Sequence, residues 1–200
     1  MLMKLKNGLL IGIFILLFSF GPVFVSANKV FFESYIETAD IESKNNVNET
    51  IEAIININET QNFINFFLMP RISNLKVSFD ELELECEIYE KIGKTEVLCF
   101  FEKPVSGKHS LQINFDSSYP LISLNKKLMF RSSYDSLIET KNFIFILKLP
   151  LGYIIPEEPG KDKSFFISPK ADSLYSDGQR IILRWEEKPL SEKFDVSVIS

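Results

Sequence analysis

The sequence predicts an all-β fold, an antiparallel β-sandwich of the immunoglobulin-like or a related kind, preceded by an N-terminal signal helix. Three observations lead to this prediction. Strand-like runs recur at short intervals, Phe, Ile, Val and Tyr dominate them, and most prolines fall in the gaps. The 200 residues are 46% hydrophobic with a net charge of −5. This composition excludes wholesale disorder, and an acidic chain is not expected to bind nucleic acid.

The N-terminal segment is typical of a secretory signal peptide over residues 1–27. Two lysines precede an apolar run at residues 9–20, a Gly-Pro pair then interrupts any helix, and small residues end at Ala27. This order predicts cleavage after Ala27, which leaves residues 28–200 as a single β-sandwich domain in a secreted or cell-surface location. The alternative is an uncleaved membrane anchor, because the apolar stretch of residues 9–25 is at the lower edge of the length that spans a bilayer.

The mature region contains many strand-like runs and little helix. The runs cover residues 30–36, 51–57, 63–69, 75–79, 82–88, 95–101, 109–115, 127–132, 143–149, 164–167, 180–185 and 194–199. Asp177-Gly178 predicts a tight hairpin turn before one of them. Residues 133–141 are the one helix candidate, and the proline-containing segment 152–170 predicts an ordered surface loop.

Two N-x-T triplets match the acceptor pattern for N-glycosylation, at Asn48 and Asn58. Glycosylation at these positions is consistent with an exported protein. Such triplets also arise by chance in an Asn-rich stretch, so both interpretations stay open at this point.

Two cysteine-containing segments predict a β-hairpin. Residues 82–88 alternate between apolar and acidic side chains, and residues 95–101 form a second strand. Gly93 lies between them, where a tight turn favours a positive φ. Opposed residues of antiparallel strands have Cα atoms about 4.5–5.5 Å apart, which is close enough for a disulfide. We therefore expect a structural disulfide between Cys86 and Cys99, as is common in exported proteins.

The pairing register of the hairpin follows from the requirement that the apolar side chains of both strands lie on the same face. A two-residue loop at positions 92 and 93 makes every pair on one face apolar, whereas a slip of one residue mixes the faces. The apolar pairs are Cys86 with Cys99, Ile88 with Val97, and Leu84 with Phe101. The alternative to a disulfide is a pair of buried free thiols. A redox-active pair is not expected, because the sequence has no C-x-x-C motif.

A further set of segments comprises residues 149–153 (LPLGY), 176–185 (SDGQRIILRW) and 196–198 (VSV), together with Met69-Pro70 and the cysteine spacing. These segments resemble archaeal extracytoplasmic β-sandwich domains, which occur on membrane-anchored proteins. The resemblance covers residues 45–200 loosely and is strongest in residues 149–200. It implies a sandwich fold and says little about function.

No pattern of catalytic or metal-binding residues stands out. His109 is the single histidine and is interpreted as a surface residue at the start of a strand, because no G-x-S-x-G nucleophile motif accompanies it. Glu81, Glu83, Glu85 and Glu87 form an acidic stripe, but residues two apart on a strand are about 7 Å apart, which is wide for one Ca²⁺ ion. We expect a solvated face that protects an edge strand, with no catalytic residue, metal or cofactor.

Leu98 and Phe100 point to the same side as these glutamates in the predicted register. Packing under a neighbouring strand or loop is the favoured interpretation, and an exposed patch that binds a partner is the alternative. The sequence as a whole predicts an exported, non-catalytic protein with a binding or structural role at the cell surface, whose partner is a surface protein or a glycan. A sensory ectodomain held by an uncleaved N-terminal helix is the second hypothesis, and an extracellular hydrolase ranks last.

Overall fold

A computed structural model describes residues 30–43, 45–118, 120–124, 127–135, 138–155, 166–190 and 193–200. The predicted signal peptide and its cleavage site at Ala27 lie outside these residues, as does most of the predicted loop at 152–170. Within the described ranges, no helix is long and apolar enough to cross a membrane.

The described residues form an all-β structure of fourteen strands. They are β1 (Val30–Ser43), β2 (Asn46–Leu68), β3 (Ile72–Phe79), β4 (Leu82–Glu83), β5 (Glu85–Lys91), β6 (Lys94–Ser117), β7 (Leu121–Leu124), β8 (Lys127–Asp135), β9 (Glu139–Thr140), β10 (Phe143–Lys148), β11 (Ile167–Ser168), β12 (Ser173–Ser176), β13 (Ile181–Glu187) and β14 (Lys193–Ile199). The helix predicted at 133–141 is wrong. Residues 133–135 instead extend β8, where they pair with β14, so long-range pairing overrides a weak local preference.

The strands are arranged in two sheets. The large sheet has the order β12-β13-β10-β1-β2-β6-β3-β4, with β5 added beside β6 and β9 beside β1. The small sheet has the order β11-β14-β8-β7. The turn predicted at Asp177-Gly178 is confirmed, because it joins β12 to β13 in an antiparallel pair and Gly178 has a φ of +94°.

The large sheet is mixed rather than wholly antiparallel, which corrects the expectation from the sequence. β10 and β9 both run parallel to β1, while β2 lies antiparallel on the other side of β1. The chain leaves the large sheet after β6, forms β7 and β8 in the small sheet, and then returns to the centre. Such a return is a crossover connection, which is the kind that parallel neighbours require.

The core lies where the two sheets meet. Aromatic rings of β10 and β13 contact rings of β8 and β14, with centroid distances of 5.1 Å for Phe143–Phe194, 6.1 Å for Phe130–Phe145 and 6.3 Å for Trp185–Phe194. The indole Nε1 of Trp185 donates a hydrogen bond of 2.9 Å to the carbonyl oxygen of Pro169. These large side chains are nearly fully buried, so they supply much of the hydrophobic driving force.

Two very long strands replace four of the predicted short ones. The runs at 51–57 and 63–69 both belong to β2, and those at 95–101 and 109–115 both belong to β6. The predicted breaks are register shifts within the β2–β6 pair. Pro104 lies inside β6 at a point where no ladder pair is formed, so its missing N–H donor costs nothing there.

Candidate functional site

The β5–β6 hairpin has the register that the alternation of its side chains predicts. Cys86 lies opposite Cys99 and Ile88 opposite Val97. A disulfide joins the two cysteines, with a Cα–Cα distance of 4.0 Å. The expected pair of Leu84 with Phe101 is absent because β5 begins one residue later, and the amide of Leu84 donates to the carbonyl oxygen of Val77 instead.

The two faces of this hairpin differ in environment. Val97 and Cys99 face the core and are fully buried, together with Ile64 and Phe66 of the adjoining β2. The opposite face is exposed. Three rows of side chains cross it, and each row has one side chain from β5, one from β6 and one from β2. We call this surface the hairpin face, and its rows are Glu85–Phe100–Phe63, Glu87–Leu98–Asn65 and Tyr89–Glu96–Phe67.

Aromatic side chains on the hairpin face are open to solvent. Phe63 is 47% exposed, and Phe100 and Tyr89 are each 43% exposed, while Leu98 is half-buried. The sequence interpretation that favoured packing of Leu98 and Phe100 under another element is therefore wrong for Phe100. The core of the protein covers the other face of these strands, and the alternative of an exposed apolar patch describes this surface better.

Polar contacts hold one end of the hairpin face. The Nζ of Lys94 lies 3.7 Å from the ring centroid of Phe67. Glu96 accepts a hydrogen bond of 2.9 Å from Asn65 Nδ2 and forms an ion pair of 3.4 Å with Lys91, and these contacts lower the pKa of its carboxyl group. Within the described part of the chain, no cation pairs with Glu85 at the other end. The face thus combines exposed apolar rings with an acidic side chain at one end, and neighbouring exposed apolar side chains are a feature of binding surfaces.

His109 has both ring nitrogens engaged. Nδ1 lies 2.6 Å from Asp80 Oδ2, and Nε2 lies 3.0 Å from the carbonyl oxygen of Ser106. Burial lowers the pKa of His109, but the hydrogen bonds and charge of its acceptors outweigh burial and raise it overall. The hydroxyl of Ser110 donates to Asp80 rather than to the imidazole. An imidazole with two acceptors holds a proton instead of removing one from a nucleophile, so this group is not arranged as a general base.

His109 lies within β6 with its side chain 18% exposed, which corrects the expected position at a strand end.

The acidic stripe is divided between separate elements. Glu83 belongs to β4, which pairs with β3, whereas Glu85 and Glu87 belong to β5, which pairs with β6. Glu81 has a left-handed φ of +68° in the turn before β4. Across the described residues, no three Asp, Glu, His or Cys side chains are grouped so that they could hold a metal ion.

The structure also places two glutamates inside the core. Glu37 of β1 and Glu49 of β2 are almost fully buried, and the Tyr35 hydroxyl donates a hydrogen bond of 3.2 Å to Glu37 Oε2. Among the described residues, neither carboxylate oxygen of Glu49 has a hydrogen-bond partner. Burial raises the pKa of Glu37 to about 7, although the bond from Tyr35 opposes the shift. Burial and the nearby charge of Glu37 raise the pKa of Glu49 well above its ordinary value.

Sequence reasoning missed this buried pair, although a signal is present. Glu37 occupies the same phase of β1 as Tyr35 and Ala39, and Glu49 occupies the same phase of β2 as its buried apolar neighbours. An acid that falls on the apolar phase of a strand is the mark of a buried carboxyl group. A cavity of about 80 Å³ lies next to Tyr35, whose hydroxyl contacts Glu37, and is also lined by Phe32, Asn65, Phe66 and Tyr134, among others.

The two candidate glycosylation sites differ in accessibility. Asn48 is half-buried, and its Nδ2 atom donates a hydrogen bond of 3.1 Å to Asp116, which also accepts one of 2.6 Å from Asn74. Asn58 is exposed in β2 beside a register shift. The geometry therefore favours Asn58 over Asn48 as an acceptor.

Comparison with known proteins reveals similarity in fold alone. No family model matches the sequence. No curated protein matches it. Among solved structures, an M1 zinc metallopeptidase from Deinococcus radiodurans is similar with a TM-score of 0.55 and 9% identity, over 85% of this chain and 42% of that one. Native leukotriene A4 hydrolase from Saccharomyces cerevisiae is similar with a TM-score of 0.54 and 13% identity, over 86% of this chain and 29% of that one. The chain thus spans less than half the length of these enzymes, and such low identities relate the chain to them by fold only.

Proposed function

We propose that this protein is an exported, non-catalytic binding protein at the cell surface, with a β-sandwich scaffold of the immunoglobulin-like or a related kind. The observation that carries the proposal is the hairpin face, where Phe63, Phe100 and Tyr89 are exposed on three paired strands, two of which the Cys86–Cys99 disulfide joins. Rigid, exposed aromatic rings are typical anchors for a partner, because they bury a large area at a small cost in conformational entropy.

Export is supported by two independent features. The sequence of residues 1–27 has the order of a secretory signal, and disulfides persist mainly in proteins outside the reducing cytosol. Cleavage after Ala27 releases residues 28–200 as the mature domain. An uncleaved N-terminal helix would instead make the same domain a membrane-held sensory ectodomain.

A non-catalytic role is supported by the chemistry of the residues in this chain. The metallopeptidases of similar fold bind zinc, and catalytic zinc sites of peptidases commonly use two histidines and a glutamate. The 200 residues contain one histidine, and both nitrogens of that residue face oxygen acceptors. The likeness to those enzymes therefore supports a shared β scaffold rather than a shared reaction.

Site-specific photo-crosslinking tests the binding role in cells of the protein's own source. A photoreactive phenylalanine analogue replaces Phe100 on the hairpin face, and in the matched control it replaces Glu52, which is exposed on the large sheet away from this face. We expect an adduct with a surface protein or glycan from position 100 alone. Equal adducts from both positions, or none from either, would contradict the proposal.

N-terminal sequencing of the same product tests export, with Asn28 expected as the first residue.

A further inference from the structure

One edge of β5 has no strand beside it in the part of the chain that the structure describes. Among the described strands, β5 pairs only with β6, so its other edge has backbone N–H and C=O groups without a strand neighbour. Such an edge is a template for pairing with another strand. Whether pairing occurs, and with what, depends on the side chains along the strand.

The core side of β5 is incomplete at this edge. Ile88 faces the same side as Val97, which is fully buried, yet Ile88 itself is 50% exposed. An apolar side chain on an added strand would cover Ile88 and complete the layer. The edge therefore favours a strand with an apolar residue at the position opposite Ile88.

The sequence of β5 is complementary to itself about Ile88. An antiparallel pair of two copies centred on this residue makes Ile88 its own partner. The other opposed pairs are Glu85 with Lys91, Glu87 with Tyr89, and Cys86 with Glu90. The pair of Glu85 with Lys91 joins opposite charges and occurs twice, once on each side of the twofold axis. Tyr89 already donates to Glu87 within one chain. A symmetric arrangement of this kind is the usual form of a protein dimer.

Neighbouring registers are less favourable. Centring the pair on Glu87 places this carboxylate opposite its own copy, and centring it on Tyr89 places Ile88 opposite Glu90. Like charges opposite each other destabilise a cross-strand pair, so the charge of Glu87 disfavours the first of these registers. In the second register Ile88 has no apolar partner, which leaves the pair centred on Ile88 as the one that covers this side chain and also joins opposite charges.

We propose that the protein forms a twofold dimer through antiparallel pairing of β5 with β5 of a second copy, centred on Ile88. The dimer joins the strands β2, β6 and β5 of both copies into one six-stranded surface. It places the two hairpin faces side by side, so that a partner meets a surface of double width. This inference concerns self-association and stands independently of the proposed binding role.

Sedimentation velocity tests the dimer with protein purified after expression of the full sequence in a secreting host. Because a single strand pair is a small interface, we expect a reversible dimer with a dissociation constant of about 1–100 µM. Lys91→Glu is expected to raise this constant at least about tenfold, because it replaces two opposite-charge pairs by like-charge pairs. The double variant Glu85→Lys/Lys91→Glu restores the pairs in reversed order and is expected to return the constant to within about threefold of the original.

Lys103→Glu is the matched control, because it makes the same charge change at an exposed position of β6 outside the β5 edge. We expect its dissociation constant to remain within about threefold of the unmodified protein. A purely monomeric protein at submillimolar concentration would overturn the proposal. The proposal would also be overturned if the double variant kept the dissociation constant of Lys91→Glu. It would be overturned as well if Lys103→Glu raised the dissociation constant as much as Lys91→Glu does.

Discussion

Replacing either buried glutamate by glutamine is expected to remove part of the pH dependence of unfolding between pH 4.5 and about 7. Glutamine has nearly the same shape as a protonated glutamic acid but does not ionise. In Glu37→Gln, the amide oxygen can still accept the hydrogen bond from Tyr35 that Glu37 accepts. The substitution therefore isolates the cost of ionising a carboxyl group in the core.

The magnitude follows from the pKa of Glu37, which burial raises from 4.5 to about 7. Between these values the carboxyl group is ionised in the unfolded chain and protonated in the folded one, so the folded state binds more protons. Stability from this group is fully present below pH 4.5 and is lost as the pH rises towards 7. At about 1.4 kcal/mol per pKa unit, the loss is about 3 kcal/mol for Glu37. Burial also raises the pKa of Glu49, so this group adds to the decline as the pH rises.

Urea unfolding followed by circular dichroism, at a series of pH values from about 4.5 to 8, measures this loss. We expect the free energy of unfolding to fall with pH in the unmodified protein and to fall less steeply in Glu37→Gln and Glu49→Gln, each of which keeps the contribution of the other glutamate. Glu52→Gln, at an exposed position of the same strand as Glu49, serves as the control and should keep the original slope. If both core variants retain the slope of the unmodified protein, the reasoning about burial is refuted.

Three further predictions concern other parts of the molecule. Replacing both Cys86 and Cys99 by alanine should lower the free energy of unfolding by about 3 kcal/mol, measured by urea titration, because the bridge closes a loop with a sequence separation of 13; an unchanged midpoint would contradict this. His109→Gln should remove stability that is present below pH 6.5 and lost as the pH rises through the raised pKa of the imidazole, so the difference from the unmodified protein should shrink in alkaline solution. In a glycosylating secretory host, peptide mass spectrometry should find higher occupancy at Asn58 than at Asn48, and the reverse order would argue against the hydrogen-bonded geometry of Asn48.

The hairpin could be predicted from the sequence because its determinants are local. Strict alternation over residues 82–88 assigns each side chain to a face, and Gly93 with a φ of +78° fixes the turn between the strands. Together they set the register that brings Cys86 opposite Cys99. The exposure of Phe100 could not be predicted in the same way, because the strand pattern defines two faces but not which one another layer covers.

The remaining errors concern long-range structure. The residues at 58–62 and 104–107 suggest that a strand ends there, yet β2 and β6 continue through these positions. They continue because β2 and β6 pair with each other both before and after the register shifts. The parallel pairing of β10 with β1 depends on a crossover between segments far apart in sequence. The burial of Glu37 and Glu49 also depends on this tertiary arrangement, although their phase within the strands indicates it.

The central position of β1 has a consequence for how the chain acquires its structure. One neighbour, β2, follows β1 directly, but the other arrives only with Phe143, which pairs with Tyr35 roughly 100 residues earlier in the chain. A chain that emerges from its N-terminus first therefore leaves one side of β1 without its native neighbour until most of the protein has been delivered. Contacts of such large sequence separation form slowly, and an open strand in the meantime is prone to intermolecular association. Folding of this protein is thus expected to depend on how fast the chain is delivered and on chaperones that shield β1 until β10 arrives.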